Sequence, residues 1–214
     1  MSTAASRKRK KTHDEAGWYA VAVGARPGVY MSSAEARSSA GDHPCPLIVP
    51  VDSAASGLKV VNMFTSAKSV LYADGSSNLA RAIAGYGVYW GTPGDSRNVS
   101  EFIDGTNNIA ELMAILTAVK ALGEADMPAI IATDSRYAMD CVTRWYKGFE
   151  TRGWVTIAGT PVLNAELIRE THAELQKKPN ISLFHVRGHV GHVGNEAADK
   201  LAKAGSLKPH ASSE

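Results

Sequence analysis

The sequence has few of the features that mark secreted or membrane proteins. Its 214 residues include only two cysteines, Cys45 and Cys141, which are too few for a disulfide framework or a structural zinc site and fit a reducing compartment. No apolar run approaches the roughly 20 residues that a membrane span requires. Residues 1–15 have no apolar stretch of the kind that a secretory signal needs. We therefore expect an intracellular protein with no membrane partner.

A large excess of charge of one sign is also absent, except in one segment. The chain has 23 Lys and Arg against 21 Asp and Glu, a formal net charge of +2. Five of the basic residues form the run Arg7-Lys8-Arg9-Lys10-Lys11, so the remaining 18 face 21 acids. Any nucleic-acid affinity in the rest of the chain must therefore come from local patches.

The basic run predicts a disordered tail over residues 1–16. It has three interpretations: a nuclear address, a phosphate-binding arm, or simply a solvated tail. The first interpretation indicates a nuclear location, and a cytoplasmic one stays open. A second disordered tail is expected over residues 207–214.

A small module is predicted over residues 17–64. Strands are expected at 18–23 and 29–31, joined by the turn Arg26-Pro27-Gly28. Ser32 or Ser33 is suited to cap a short helix. Residues 43–58 are rich in Pro, Ser, Ala and Gly, and no element is assigned there.

The pattern of a larger α/β domain covers residues 65–206. Strands at 70–73, 85–90 and 98–103 have short connections and predict an antiparallel meander. Helical periodicity follows over 109–122, and an apolar run at 129–133 is typical of a buried strand in a parallel pair. Further helices are predicted at 134–145, after Pro161 and at 195–204, with a fifth strand at 181–186. This order predicts one mixed five-stranded sheet with helices on both faces.

Four carboxylates stand on four of these elements. Asp74 is predicted to end the first strand, Glu111 to lie in the first turn of a helix, Asp134 to end the central strand and Asp199 to lie in the last helix. Each has an ordinary structural explanation: a turn pair with Gly75, a favourable helix-dipole position, an N-cap, or an ion pair with the residue four places on.

Together the four carboxylates favour a metal site. Strand ends of an α/β sheet meet at one edge, and a helix starting there can bring a further side chain to it. Clustered carboxylates repel one another unless cations lie between them, and hard oxygen ligands select Mg²⁺ or Mn²⁺. Two such ions promote hydrolysis of a phosphodiester. The residue pattern alone does not establish that the side chains converge.

Four blocks of the sequence resemble the signature blocks of ribonuclease H, type 1, in the family's order and with similar spacing. They are Leu71-Tyr72-Ala73-Asp74-Gly75-Ser76, Thr106-Asn107-Asn108-Ile109-Ala110-Glu111-Leu112, Thr133-Asp134-Ser135-Arg136-Tyr137 and Gly188-His189-Val190-Gly191-His192-Val193-Gly194-Asn195-Glu196-Ala197-Ala198-Asp199. The resemblance covers about 140 residues. It implies a ribonuclease H-like fold and an endonuclease that cuts the RNA strand of RNA/DNA hybrids with divalent ions, leaving 5′-phosphate and 3′-hydroxyl ends.

The resemblance also implies roles for individual residues. Asp74, Glu111, Asp134 and Asp199 correspond to the family's metal-binding quartet, and His189 to a loop histidine that assists proton transfer or product release. His192 is interpreted as structural, because two imidazoles suit Mg²⁺ poorly. The implied contacts with the hybrid are Asn78, Thr106, Asn107, Asn108, Trp145, Phe149 and Asn164.

The segment before residue 65 resembles the small hybrid-binding domain of this family through Trp18-Tyr19-Ala20-Val21 and Gly24-Ala25-Arg26-Pro27-Gly28-Val29-Tyr30. Two features depart from the family pattern: Ser32-Ser33 stands where a Trp is usual, and Pro46-Leu47-Ile48-Val49-Pro50-Val51 replaces an aromatic and lysine block. Stacking surface and phosphate-neutralising charge are lost together. We therefore expect a degenerate module, whose apolar run is available for a protein partner or self-association.

Two other functions remain possible on this pattern. One is a non-catalytic hybrid-binding protein, which would not need all four carboxylates. The other is a different nuclease of the ribonuclease H-like superfamily, such as an exonuclease or integrase, which the glycine-rich loop and the Thr-Asn-Asn block disfavour.

Overall fold

The computed structural model describes residues 16–78, 83–123 and 127–208. The basic run at Arg7-Lys8-Arg9-Lys10-Lys11 lies outside these residues, as does most of the expected second tail. Within the described part of the chain, no helix is long and apolar enough to cross a membrane.

The N-terminal module is a three-stranded antiparallel sheet with two helices. In chain order its elements are β1 (Ala16–Val23), β2 (Gly28–Ser32), α1 (Ser33–Ala40), β3 (Leu47–Val51) and α2 (Ala54–Ser66). The strand order is β2-β1-β3. Ser32 caps α1, since its hydroxyl accepts a hydrogen bond from the amide of Glu35 at 3.2 Å. Strand β3 and the start of α2 occupy the region in which the composition left the structure unassigned. Pro50 is tolerated in β3 because this is an edge strand of the module's sheet.

The larger sheet has five strands in the order β6-β5-β4-β7-β8. These strands are β4 (Ser69–Asn78), β5 (Ile83–Tyr89), β6 (Val99–Asp104), β7 (Ala129–Thr133) and β8 (Ile181–His185). Strands β4, β5 and β6 pair antiparallel, whereas β4, β7 and β8 pair parallel. The predicted mixed sheet is confirmed.

Five helices accompany this sheet: α3 (Asn107–Ala121), α4 (Arg136–Val142), α5 (Tyr146–Thr151), α6 (Ala165–Gln176) and α7 (Val193–Ser206). Because side chains alternate along a strand, β4 sends Leu71 and Ala73 into a core with α3, α4 and α6. Tyr72 points to the opposite face and packs in a second core with Ala198 of α7. Helices therefore lie on both faces, as predicted.

The module shares this second core. Ala22, Cys45, Leu47 and Phe64 are buried in the same cluster as Tyr72, Tyr89 and Ile130 of the larger sheet. The rings of Phe64 and Phe184 meet edge to face with centroids 4.9 Å apart. The module thus packs directly on the sheet that carries the carboxylates.

Three local predictions differ from the structure. Strand β4 does not end at Asp74 but continues to Asn78, because Asp74 and Gly75 pair with Gly87 and Tyr86 of β5. The helix expected over 134–145 is shorter, since α4 ends at Val142 and a separate helix, α5, begins at Tyr146. The C-cap of α4 is Thr143, whose hydroxyl donates to the carbonyl of Met139 at 2.6 Å, a contact that competes with the helix ladder.

The helix predicted after Pro161 begins only at Ala165, so the expected stripe of Leu163, Leu167, Thr171 and Leu175 loses its first member. Leu163 precedes α6 and is exposed, and the buried positions of the helix are Ile168 and Thr171. Leu167 and Leu175 pack at the edge of the core.

Candidate active site

Two parallel strands bring Asp74 and Asp134 to the same level. Tyr72 of β4 pairs with Ala132 of β7, and each aspartate lies two residues further along its chain. Since successive side chains alternate, the two carboxylates leave the sheet on the same side. Asp134 does not cap the helix that follows, as the ordinary explanation proposed. Ser135 does so, accepting a hydrogen bond from the amide of Ala138 at 3.2 Å.

Glu111 reaches these aspartates from α3. It lies in the second turn of the helix rather than the first, since the helix begins at Asn107. Gly75 lets α3 approach β4 this closely, because a Cβ atom there would lie 2.5 Å from the backbone nitrogen of Glu111. The side chains of Asp74, Glu111 and Asp134 each offer an oxygen within 4.8 Å of the other two.

Two of these carboxylates are buried as well as close, and Asp134 is partly buried. Asp74 is 4% exposed and Glu111 is 5% exposed. One oxygen of Glu111, Oε1, accepts a hydrogen bond from Asn107 at 3.3 Å, whereas Oε2 has no hydrogen-bond partner in the described part of the chain. A buried acceptor without a hydrogen-bond donor lowers the free energy of unfolding.

Burial and the charges of neighbouring carboxylates raise the proton affinity of Asp74 and Glu111. Desolvation, with the charges of Asp134 and Asp199, raises the pKa of Asp74 to about 8. The pKa of Glu111 is raised for the same reasons, first by desolvation and then by the charges of Asp74 and Asp134. The site therefore favours positive charge, either protons or a cation.

Asp199 and His189 lie at the rim of the same cleft, which has a volume of about 540 Å³. Asp199 stands outside the group of three close carboxylates and forms an ion pair with Lys203 at 2.6 Å. His189 is exposed and has a positive φ of 56°. Gly188 allows its loop to pass over Asp134, because a Cβ at that position would collide with the carboxylate.

Asn195 contacts the site although the sequence suggested no role for it. It is 2% exposed, and its Nδ2 donates to Oδ2 of Asp134 at 3.0 Å and to Oδ2 of Asp74 at 3.4 Å. The available signal was its spacing, since Asn195 precedes Asp199 by four residues and shares its face of α7. Other cleft-lining residues that the sequence did not single out are Ser76, Ser77, Arg136 and Tyr137.

Among the proposed hybrid contacts, Asn107 alone both lines this cleft and bonds to one of the carboxylates. Asn108 is exposed in the first turn of α3, and Asn78 is exposed at the end of β4. Thr106 is the N-cap of α3, its hydroxyl accepting from the amide of Ile109 at 3.4 Å. Asn164 has a left-handed backbone, with a φ of 59°, and its side chain bonds to Tyr137.

Trp145 and Phe149 form an aromatic pair beside this site. Their ring centroids lie 6.4 Å apart, and the ring of Tyr137 lies 6.5 Å from that of Trp145. Trp145 is 39% exposed, whereas Phe149 packs partly against the core. Trp154 also packs against the core, so Trp145 offers the more accessible surface of the pair.

Comparison with known proteins points to one family. The family model described as RNase H matches residues 66–207. Ribonuclease H1 of Rattus norvegicus is 39% identical over 143 residues, which are 64% of this chain and 50% of the rat protein. Ribonuclease H of Chromobacterium violaceum is 33% identical over 144 residues, covering 67% of this chain and 97% of the bacterial protein. The chain spans about half the length of the mammalian relatives.

Solved structures agree with this assignment. LC9-RNase H1, described as a type 1 RNase H with the type 2 active-site motif, has a TM-score of 0.51 and 29% identity, covering 64% of this chain and 71% of its own. The foamy viral protease-reverse transcriptase in complex with an RNA/DNA hybrid has a TM-score of 0.57 at 23% identity, covering 66% of this chain and 20% of its own, and shows the fold alone. The chain therefore belongs to the ribonuclease H family.

Proposed function

We propose that this protein is an endonuclease that hydrolyses the RNA strand of RNA/DNA hybrids and leaves 5′-phosphate and 3′-hydroxyl ends. The observation that carries the proposal is the group of three carboxylates within 4.8 Å of one another, at the edge of a family-type sheet. The relatives named ribonuclease H support the same reaction.

The residues of the cluster fit a divalent cation. All the donors are hard carboxylate oxygens, which suit Mg²⁺ or Mn²⁺, and the buried Oε2 of Glu111 has no partner among the described residues. Asp74, Glu111 and Asp134 would hold the ions, with Asp199 joining them from the rim. Two ions bound there would supply activation of the attacking water and stabilisation of the leaving oxygen.

His189 is proposed to handle protons at the cleft. Its imidazole stands on an exposed loop that lines the cleft beside Asp134, and a histidine is able to donate or accept a proton near neutral pH. It would transfer a proton to or from the phosphate oxygens and help the product leave.

Contacts with the two strands of the hybrid would come from both sides of the cleft. Asn107 and Asn108, with Asn78, carry amides that donate to and accept from 2′-hydroxyls and base edges in a minor groove. Thr106 can still donate its hydroxyl proton to a DNA phosphate while it accepts from Ile109. Asn164 is proposed to contact the same phosphate.

Trp145 and Phe149 are proposed to face the sugars of the DNA strand. A deoxyribose lacks the 2′-hydroxyl, so it offers an apolar surface that an aromatic ring can contact. The accessible ring of Trp145 suits this role. Phe149 packs against that ring edge to face.

A protein partner or self-association through the N-terminal module remains a proposal. Part of its apolar run serves an internal contact instead, since Leu47 is fully buried in the core shared with the larger sheet. Pro50 is exposed on β3 and has no amide to donate, which disfavours addition of another strand at that edge.

A substrate panel tests the proposed activity. Wild-type protein is incubated with labelled RNA/DNA hybrid, duplex RNA and duplex DNA, each with Mg²⁺, with Mn²⁺ and with EDTA. We expect cleavage of the hybrid alone, in the presence of either or both ions and not with EDTA. Hybrid binding without cleavage in every buffer would favour a non-catalytic binding protein, and cleavage of duplex DNA would favour another nuclease of the superfamily.

A further inference from the structure

Asn195 is the polar side chain most tightly enclosed by the carboxylate cluster. It lies in the first turn of α7, 2% exposed, and its amide nitrogen donates to one oxygen each of Asp74 and Asp134. One NH₂ group therefore bridges two acids that stand on neighbouring strands, 121 and 61 residues away along the chain.

The chemistry of the contact fixes the orientation of the amide. Reversing the side-chain amide would place its carbonyl oxygen against two carboxylate oxygens. Ionised carboxylates accept hydrogen bonds and cannot donate them. In the observed orientation, Oδ1 is buried and has no hydrogen-bond partner among the described residues. The two N–H contacts with carboxylates must offset that unsatisfied acceptor.

We propose that Asn195 is a positioning residue that stands in for a cation in the ion-free site, and this inference rests on the proposed function. Its two N–H groups carry partial positive charge and point at Oδ2 of Asp74 and Oδ2 of Asp134. When both carboxylates are ionised, these donors reduce the repulsion between them and keep them together until an ion binds. Each ionised carboxylate has about four lone-pair sites, so accepting from Asn195 leaves others for the ion.

The role belongs to the N–H donors of Asn195 and not to the volume of its side chain. Asn195→Asp keeps the shape of the side chain, removes both donors and adds a charge of the same sign as its neighbours. Asn195→Ala removes the donors without adding charge. Asn62→Asp is a matched control, since Asn62 lies exposed on α2.

The test is the thermal stability of the full chain, measured with EDTA and with saturating MgCl₂ or MnCl₂. With EDTA we expect Asn195→Asp and Asn195→Ala to melt roughly 2–10 °C below the wild type, because buried acceptors lose their donors. With saturating ion the deficit should shrink to less than half, since the cation then takes over the role of the amide. The control should melt with the wild type in both buffers.

Other outcomes have distinct meanings. Equal melting of Asn195→Asp and wild type in EDTA would overturn the inference, because the donors would then be dispensable. A melting-temperature deficit that stays constant or grows when ion is added would also overturn the inference. Asn195 would then contribute ordinary packing, or hold the carboxylates in place only after the ion has bound. If Asn195→Asp does not fold, the Asn195→Ala comparison carries the same test.

Failure of the proposed function is separable from failure of this inference. If the wild type gains no thermal stability from Mg²⁺ or Mn²⁺ and cuts no hybrid, the proposed ion site is excluded. The wild type could instead be stabilised by the ion and cut hybrid, while the melting-temperature deficit of the variants is unaffected by the ion. That result would exclude only the role of Asn195.

Discussion

Individual residues of the site have positions that sequence patterns could name but not bring together. Asp74 and Asp134 follow apolar strands, and Glu111 follows a helix start, so each was recognisable as a candidate. Their convergence depends on the parallel pairing of β4 with β7 and on the close approach of α3 at Gly75. Family resemblance predicted that these side chains meet, whereas residue spacing did not.

Asn195 shows what the sequence could not reveal at this scale. It stands in a recognisable block, but an asparagine near a helix start is ordinarily a cap or a surface residue. Its function depends on two carboxylates that are distant in the chain, which only the folded structure brings to it.

The raised pKa of Asp74 predicts a pH-dependent stability of the ion-free protein. Its folded pKa of about 8 exceeds the value of about 3.9 in an unfolded chain, so the folded state holds the proton more tightly. The contribution of protonated Asp74 to the free energy of unfolding is fully present below pH ~4. It is lost as pH rises to ~8. The melting temperature in EDTA should therefore fall across this range, with Glu111 acting in the same direction.

Comparison with Asp74→Asn isolates this effect from other titrations. The variant has no carboxyl group at position 74, so its melting temperature should fall less steeply from pH ~4 to ~8. Parallel curves for wild type and variant would contradict the raised pKa of Asp74.

His189→Ala should slow hybrid cleavage by about 100-fold or less, at the lower end of general acid–base contributions. The exposed position of His189 at the rim of the cleft is suited to proton transfer and not to ion binding. Single-turnover rates of the variant and of Val190→Ala, a control exposed on the same loop, provide the measurement. A loss as complete as that of a metal ligand, or no loss at all, would exclude the assigned role.

At the scale of elements, the regular segments were predictable where one signal dominated. The apolar run of β7 and the periodic face of α3 lie where the sequence predicted them. Strand β3 was missed because Pro46 just before it and Pro50 within it are typical of a loop, although an edge strand tolerates a proline. The end of β4 was misplaced because pairing with β5 overrode the turn preference of Asp74-Gly75.

The short helix α5 carries the prediction for hybrid affinity. Trp145 immediately precedes it and presents an accessible ring, and burying roughly 50–100 Å² of apolar surface against a sugar is worth about 1–2.5 kcal/mol. We expect Trp145→Ala to raise the Kd for the hybrid by about 5- to 100-fold, measured by fluorescence anisotropy in EDTA. Ile157→Ala is the control for loss of exposed apolar surface, since Ile157 is 92% exposed. Equal affinities of the two variants would mean that Trp145 does not contact the substrate.

At the scale of the whole molecule, the module and the larger sheet share a core, which the sequence did not predict. The module residues Ala22, Cys45, Leu47 and Phe64 lie against the face of the sheet opposite α3. The sequence pattern divided the chain into a small module and a larger domain and gave no contact between them. The apolar run that replaces the usual aromatic and lysine block instead supplies Leu47 to this interface.

Phe64→Ala should therefore destabilise the whole protein and not the module alone. Removing a buried phenylalanine costs about 3–5 kcal/mol, and Phe64 contacts Phe184 of the larger sheet. Met63→Ala on the same helix, where the side chain is 38% exposed, should cost less than about 1 kcal/mol. Urea unfolding followed by circular dichroism and by tryptophan fluorescence should show one shared transition. Two separate transitions in the wild type would contradict the common core.

The central claim is that the carboxylate cluster cuts RNA within a hybrid, and Asp134→Asn tests it most directly. An amide keeps the size of the side chain but loses the charge that would bind a cation, and Ser135 supplies the helix cap in either protein. Asp95→Asn is the control, since Asp95 pairs with Arg97 outside the cleft.

The decisive measurement is cleavage of a hybrid whose RNA and DNA strands carry different labels, with the new ends identified, in Mg²⁺ or Mn²⁺. We predict that the wild type and Asp95→Asn cut the RNA strand alone and leave 5′-phosphate and 3′-hydroxyl ends. Asp134→Asn should melt near the wild type and cut at a rate reduced by at least about 1,000-fold, roughly 4 kcal/mol of transition-state stabilisation. Cleavage of the RNA by Asp134→Asn at nearly the wild-type rate would contradict the account.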